Sequence, residues 1–265
     1  MRTLGIIAGA GPSPVKAVTD AKRSGFRVIY IPLKEVGAEA SDDADVTAPA
    51  SLIKTGTVIQ ALSENKADAV LLVGKFDKGL NGLDFSEADE VALAMMMRLP
   101  GRADMQIGAV VLEELEARGF PPVSQLEAFA DRVAPKGMIV GDAVDPERQP
   151  DIDLGLEVAR SLAKFDIGQT VVIRQGLVVA VEGAEHSDAC ILRSGQLVAP
   201  PLCVVKVARP EQDFRFDTPA VGKVTLDSMK QAGADLLAIE AGRSLIMDED
   251  FVEHATELGI VVIGV

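Results

Sequence analysis

LGIIAGAGPSPVKAVTDAKRSGFRVIYI, residues 4–31, decides the fold of the first third of the chain. Leu4–Ala8 is a short apolar run closed by glycine, the pattern of a buried strand. Gly9–Pro14 is a glycine- and proline-rich turn, Val15–Ser24 a helix that stops before Gly25, and Arg27–Ile31 a second strand. Beyond it, Leu52–Glu64 reads as a helix and Ala69–Val73 as a third strand. This βαβαβ order predicts a parallel sheet with right-handed crossovers. Helices at Glu90–Arg98, Gly108–Arg118 and Gln125–Arg132 follow.

The pattern changes around Val133–Gly141, and the polar run Asp142–Pro150 reads as a linker. After it come a helix at Asp151–Lys164 and two strands, Val171–Arg174 and Leu177–Glu182, around the hairpin signal Gln175-Gly176. Ala189–Arg193 and Cys203–Val207 read as strands, Thr225–Ala232 and Glu249–Leu258 as helices, and Leu236–Glu240 and Ile260–Val265 as strands. The expectation is an α/β chain of two domains. Residues 1–134 form a Rossmann-like parallel-sheet domain, and residues 135–265 a mixed α/β domain that carries the chemistry.

A chain that is 48% hydrophobic, with 24 glycines, can bury a sizeable core. Its formal charge of −14 argues against nucleic acid, whose phosphates recruit basic surfaces. An acidic protein with a phosphate substrate must place its few cations well or use a divalent metal. No stretch approaches the roughly 20 apolar residues of a membrane span, and the first residues are too short and glycine-broken for a signal peptide. Cys190 and Cys203 lack metal-ligand spacing and read as buried thiols of a reducing compartment, which points to the cytoplasm.

Three places could carry chemistry. In the first turn, Gly9 and Gly11 can bring bare backbone to a phosphate, although Pro14 stands where a dinucleotide fingerprint wants a third glycine; a tight structural turn explains the pattern about as well. Lys75 follows the third strand at its carboxyl end, where α/β sheets bind ligands. The richest region is 182–217. Glu182, Glu185 and Asp188 cluster after a strand, and KVARPEQDFRFDTP follows from Lys206. In an extended segment Asp213, Arg215 and Asp217 share one face, with Phe214 and Phe216 opposite. Carboxylates there can hold Mg²⁺ and orient water, while arginine neutralises phosphate oxygens. Glu240 is a further candidate at a strand end, and Met95–Met97 reads as core before acyl groove.

LGIIAGAGPSP, KFDIGQTVVI (Lys164–Ile173), VEGAEHSDACILR (Val181–Arg193), KVARPEQDFRFDTPAVGKVTLDSMKQAG (Lys206–Gly233) and IEAGRSL together resemble one family almost end to end. It is the UDP-2,3-diacylglucosamine pyrophosphatase family of lipid A biosynthesis, in its metal-dependent two-domain form, unlike calcineurin-type phosphoesterases. The loop here reads VEGAEHSD where the family runs closer to VEAIEGTD.

The resemblance implies a ligand between two domains and hydrolysis to UMP and 2,3-diacylglucosamine 1-phosphate, with water attacking the sugar-side phosphorus. It implies an essential aspartate at Asp217, with Asp213 as the fallback. Glu182, Glu185, Asp188, Asp213 and Asp217 are expected to bind Mg²⁺, with Mn²⁺ as the alternative. Lys206 and Arg215 are expected to stabilise phosphoryl charge, Gln169, Thr170 and Gln212 to hydrogen-bond substrate, Gly9 and Gly11 to meet it by backbone, and Lys75 to reach its phosphates. The implied partner is a lipid-linked nucleotide sugar, met during transient contact with the inner membrane; a homodimer is left open. Two rivals stand beside this, a nucleotide-cofactor oxidoreductase and a non-catalytic nucleotide-sugar or lipid binder.

Overall fold

The computed structural model describes residues 1–76, 84–99 and 104–265. They form two compact units: Met1–Ala130 with Phe214–Asp217, and Asp131–Asp213 with Thr218–Val265.

In the first unit the strands are β1 (Thr3–Ala8), β2 (Arg27–Pro32), β3 (Val46–Thr47) and β4 (Ala69–Val73). They lie in the order β3-β2-β1-β4, and every pairing is parallel. β1 and β4 are buried at every residue, as expected of continuous apolar strands that have neighbours on both faces. The crossovers run through α1 (Ser13–Arg23) and α2 (Gly56–Glu64). α1 buries Ala17, Val18 and Ala21, one helical face. α2 starts at Gly56, later than the expected Leu52, because Glu35 accepts hydrogen bonds from Ser51 Oγ and Leu52 N and holds those residues in a turn. α3 (Glu90–Arg98), α4 (Asp104–Ala117) and α5 (Gln125–Ala128) follow, and Leu112, Leu115 and Phe120 join the core.

In the second unit the elements are β5 (Gly137–Val140), α6 (Gln149–Ala163), β6 (Thr170–Arg174), β7 (Leu177–Val181), α7 (His186–Leu197) and β8 (Leu202–Lys206). They continue with β9 (Ala220–Val221), α8 (Lys223–Ala232), β10 (Ala234–Ile239), β11 (Leu245–Ile246), α9 (Phe251–Leu258) and β12 (Val261–Gly264). The main sheet has the order β5-β12-β10-β8-β6-β7; β12, β10 and β8 are mutually parallel, and β6 runs antiparallel to both β8 and β7. β9 and β11 form a separate parallel pair. Alternate strand residues serve opposite faces. Val171, Ile173, Cys203 and Val205 pack with α6, while Val172 and Val204 pack with Cys190 and Ile191 of α7, Leu226 of α8 and Phe251 of α9.

The hairpin at Gln175-Gly176 forms as expected, both residues taking positive φ. The buried Asp151 carboxylate accepts from both their backbone N–H groups, at 3.0 and 2.7 Å. Ala189–Arg193, expected as a strand, lies inside α7. Its buried residues Ser187, Cys190, Ile191 and Ser194 recur at helical spacing, and a short apolar run alone does not separate the two periods. The expected linker Asp142–Pro150 contains a 3₁₀ turn, Pro146–Arg148, and the first residues of α6, with Asp145 capping the turn at Glu147 N.

Candidate active site

β8 ends at Lys206 and, because β6 runs the opposite way, Thr170 begins β6 directly beside it, the two paired in register. β7 returns along β6, so Glu182 follows at the same sheet end and donates its backbone N–H to Thr170 O at 2.9 Å. The first turn of α7 then brings in Ser187. Four side chains meet there. Ser187 Oγ accepts from Lys206 Nζ at 3.0 Å and from Thr170 Oγ1 at 2.9 Å, and donates to Glu182 Oε1 at 3.1 Å. One hydroxyl proton and two lone pairs are all in use.

Glu182 is 9% exposed, and a buried carboxylate is tolerated only when hydrogen-bonded and charge-compensated. Its other oxygen accepts from Gln169 N at 3.0 Å. Gly168 makes that possible: a Cβ there would stand 2.3 Å from Glu182 O, so only glycine lets the strand-leading loop lie this close. Gln169 Nε2 donates to Gln212 Oε1 at 2.8 Å, and the same oxygen accepts from Arg209 N at 3.0 Å. The loop after β8 is thus tied to the loop before β6. Arg209 Nε stands 2.6 Å from Asp166 Oδ1 across the same loops.

Gln169, Thr170, Glu182, Lys206 and Gln212 therefore belong to one polar network. Glu185, Asp188 and Glu240 have partners of their own. Glu185 is exposed and ion-paired with Arg193 at 2.7 Å; that hydrogen bond holds its carboxyl below the ordinary range. Asp188 accepts from Thr225 Oγ1 at 3.3 Å, on the side of α8. Glu240 accepts from Ala208 N at 2.9 Å and from Arg160 at 3.3 Å, so it pins the chain after β8.

The segment expected to present Asp213, Arg215 and Asp217 on one extended face does not do so. Phe214–Phe216 is a turn, and it breaks the alternation. Gln212 and Asp213 belong to the second unit, Phe214–Asp217 to the first. The turn has a physical anchor in Phe216, which stacks on Phe76 (centroids 6.0 Å apart) and lies flat against Gly108, where a Cβ would come within 2.4 Å of its ring. Gln125 completes the hold: its backbone N–H donates to Phe214 O at 2.7 Å, and its amide to Leu72 O at 2.7 Å and Phe216 O at 3.1 Å. Arg215 is ion-paired with Glu116 at 2.7 Å.

Among the described residues, no group of three or more His, Cys, Asp or Glu side chains could hold a metal ion. Glu182, Glu185 and Asp188, all in the second unit, do not form such a group with one another. Glu182, Glu185 and Asp188 diverge because a strand end, a loop and a helix turn aim them at different partners.

In the first unit the glycine turn serves its own chain. Gly9 N donates to Val73 O at 2.8 Å, and Ala10 exchanges hydrogen bonds with Lys75 at 2.8 and 2.9 Å. A Cβ on Gly9 would stand 2.6 Å from Lys75 O. The bare backbone expected to approach a ligand at Gly9 approaches the Gly74-Lys75 bend instead. Gly11 has φ +93 with open space around it, and the Lys75 side chain is exposed. Glu35, placed to meet a ribose in a dinucleotide fold, is held by Ser51 and Leu52; although burial works to raise its pKa, these hydrogen bonds lower it.

Ser187, Asp166 and Arg209 were not singled out from the sequence. The helical spacing of Ser187, Cys190, Ile191 and Ser194 is the signal that would have put Ser187 on the inner face of α7.

These features define a two-unit α/β protein with a polar, lysine-bearing cluster where parallel strands end, the place such sheets bind ligands. The chain belongs to the LpxI family: residues 3–132 match the LpxI N-terminal domain and residues 135–263 the LpxI C-terminal domain. It is 31% identical to the UDP-2,3-diacylglucosamine pyrophosphatase LpxI of Caulobacter vibrioides, over 100% of this chain and 98% of that protein. Among solved structures, the apo form of AtPrR2 aligns over 97% of this chain and 75% of its own at 9% identity, with a TM-score of 0.30. Glycinamide-RNase-transformylase T from Mycobacterium tuberculosis aligns over 68% of this chain and 44% of its own at 16% identity, with a TM-score of 0.26. Scores this low say nothing of the fold.

Proposed function

We propose that this chain hydrolyses the pyrophosphate bond of UDP-2,3-diacylglucosamine to UMP and 2,3-diacylglucosamine 1-phosphate, a step of lipid A biosynthesis. The observation that carries the reading is the end-to-end match to a pyrophosphatase of that name, with both family domains in order. The cluster around Lys206 supports it, since phosphoryl transfer depends chiefly on fixed positive charge and positioning.

In this reading water attacks the sugar-side phosphorus, its oxygen stays on the sugar phosphate, and UMP leaves with the bridging oxygen. Asp217 orients the water and accepts its proton, with Asp213 as the alternative. Lys206 and Arg215 neutralise phosphate oxygens, and Gln169, Thr170 and Gln212 orient the substrate. Gly11 and Lys75 are proposed as further contacts. Asp213 or Asp217 would help to hold Mg²⁺, or alternatively Mn²⁺, which would supply positive charge against the phosphates. Among the described residues no helix is long and apolar enough to cross a membrane. The acylated substrate is met at a membrane surface from the cytoplasmic side. Against the oxidoreductase rival, Glu35, the carboxylate expected at a ribose, is engaged by Ser51 and Leu52.

The test is UMP release from UDP-2,3-diacylglucosamine. The expected results are activity that EDTA suppresses, near-complete loss in Asp217→Asn, and ¹⁸O from water in the lipid phosphate. Label in UMP would overturn the side of attack, and an active Asp217→Asn the role of that residue.

A further inference from the structure

Lys206 and Glu182 carry opposite charges at one sheet end, yet the structure does not join them directly. Ser187 stands between them, accepting from Lys206 Nζ at 3.0 Å and donating to Glu182 Oε1 at 3.1 Å. Thr170, 1% exposed, supplies the second proton that Ser187 accepts, at 2.9 Å, which fixes the direction of the hydroxyl: its own proton can only go to Glu182. Glu182 is held in turn by Gln169 N at 3.0 Å.

An ammonium group has three N–H donors. A direct pair with a buried carboxylate would draw the lysine inward and use its charge there. With a neutral hydroxyl as its partner, one N–H of Lys206 is anchored while two point elsewhere, and Ser187 is the partner of Nζ among the described residues. The lysine stem is then fixed without its charge being cancelled at contact distance, the condition for a cation that meets a developing phosphate charge.

We infer that Ser187 is a positioning residue for Lys206, with Glu182 and Thr170 orienting its hydroxyl, and that Glu182 acts through this chain of hydrogen bonds rather than as a metal ligand. The inference rests on the proposed hydrolysis, in which Lys206 meets the phosphates. In Ser187→Ala, Lys206 loses its anchor and swings toward Glu182, so its aim at the transition state is lost.

The experiment is a double-mutant cycle on UMP release by the full chain, with melting curves for each variant. Ser187→Ala is expected to lower kcat about tenfold, the scale of a lost hydrogen bond to a charged group, with KM nearly unchanged. In a Lys206→Met background the same substitution is expected to cost less than about twofold, because there is no longer a cation to aim. Ser187→Thr, which keeps the hydroxyl, is expected to recover most of the rate. An equal cost of Ser187→Ala in both backgrounds would overturn the inference, as would a Ser187→Ala enzyme of wild-type rate. In a Mg²⁺ titration, Glu182→Gln is expected to lower kcat without raising the half-saturating Mg²⁺ concentration; a rise of about tenfold or more, the scale of losing a metal-site group, would make Glu182 a ligand. A wild-type chain that releases no UMP overturns the hydrolysis and this inference together, whereas an active one with additive costs overturns this inference alone.

Discussion

The turn after β1 and the sheet end at β6 and β8 both lie where α/β proteins bind ligands, and they use their hydrogen-bonding groups in opposite ways. At the turn, the N–H groups of Gly9 and Ala10 go to Val73 and Lys75 of the same unit, and the missing side chain of Gly9 lets that bend pack. At the sheet end, side chains do the contacting, and their order leaves a lysine anchored through a neutral hydroxyl. At Gly9 and Ala10 the turn thus packs against its own unit, whereas the sheet end holds a lysine whose hydrogen-bonding capacity is arranged and not exhausted.

The contrast can be broken most directly at Lys206. Lys206→Met is expected to lower kcat for UMP release about a hundredfold, the scale of removing one preorganised charge, with little change in melting temperature. A rate close to wild type would erase the distinction. The mirror experiment is Gly9→Ala, expected to cost about 1–3 kcal/mol of stability through forced packing, read as a lower urea midpoint, while the rate per folded molecule stays near wild type. A stable Gly9→Ala protein that has lost substrate affinity would return the turn to the site.

The platform beneath the cluster can be probed through its thiols. Burial pushes Cys190 and Cys203 up to about 12 from an ordinary 9.0. Since the folded state holds these protons longer, the stability they contribute is complete below 9.0 and is lost as pH rises from there toward about 12. Equilibrium unfolding is expected to weaken by about 1 kcal/mol per thiol for each pH unit in that window, and neither thiol should react with a disulfide reagent at pH about 8 before unfolding. The smallest effect belongs to Glu185→Gln. Its exposed pair with Arg193 is worth about 0–1 kcal/mol, and a larger loss, or a weakened Mg²⁺ response, would bring Glu185 back toward the site.

The first unit was legible because its signals are local and continuous: apolar runs of strand length, glycine stops and proline at a helix start. The Gln175-Gly176 hairpin was legible for the same reason, since both residues must take positive φ. α7 was not, because a run of four apolar residues, Ala189–Leu192, fits either period and only the longer stretch, with Ser187 and Ser194 facing inward, separates them. For the site, the polar residues around Lys206 were identifiable by type and strand position. Their assembly depended on β6 running against β8, which brings Thr170 beside Lys206, and on Gly168 closing against Glu182; neither is encoded in a local motif. The alternation read into Asp213–Asp217 failed because Phe216 has a better place to bury its ring than the far side of a strand.

Because Phe214–Asp217 belongs to the first unit, the two halves of this chain are not interchangeable cassettes. A fragment that stops at Ala130 would be missing the aromatic plug over Gly108 and one of the two carbonyls that receive the amide of Gln125. A chimera built from two relatives would need to transplant that short downstream stretch along with the N-terminal half. Otherwise it would join a hollow first unit to a second one carrying someone else's stopper.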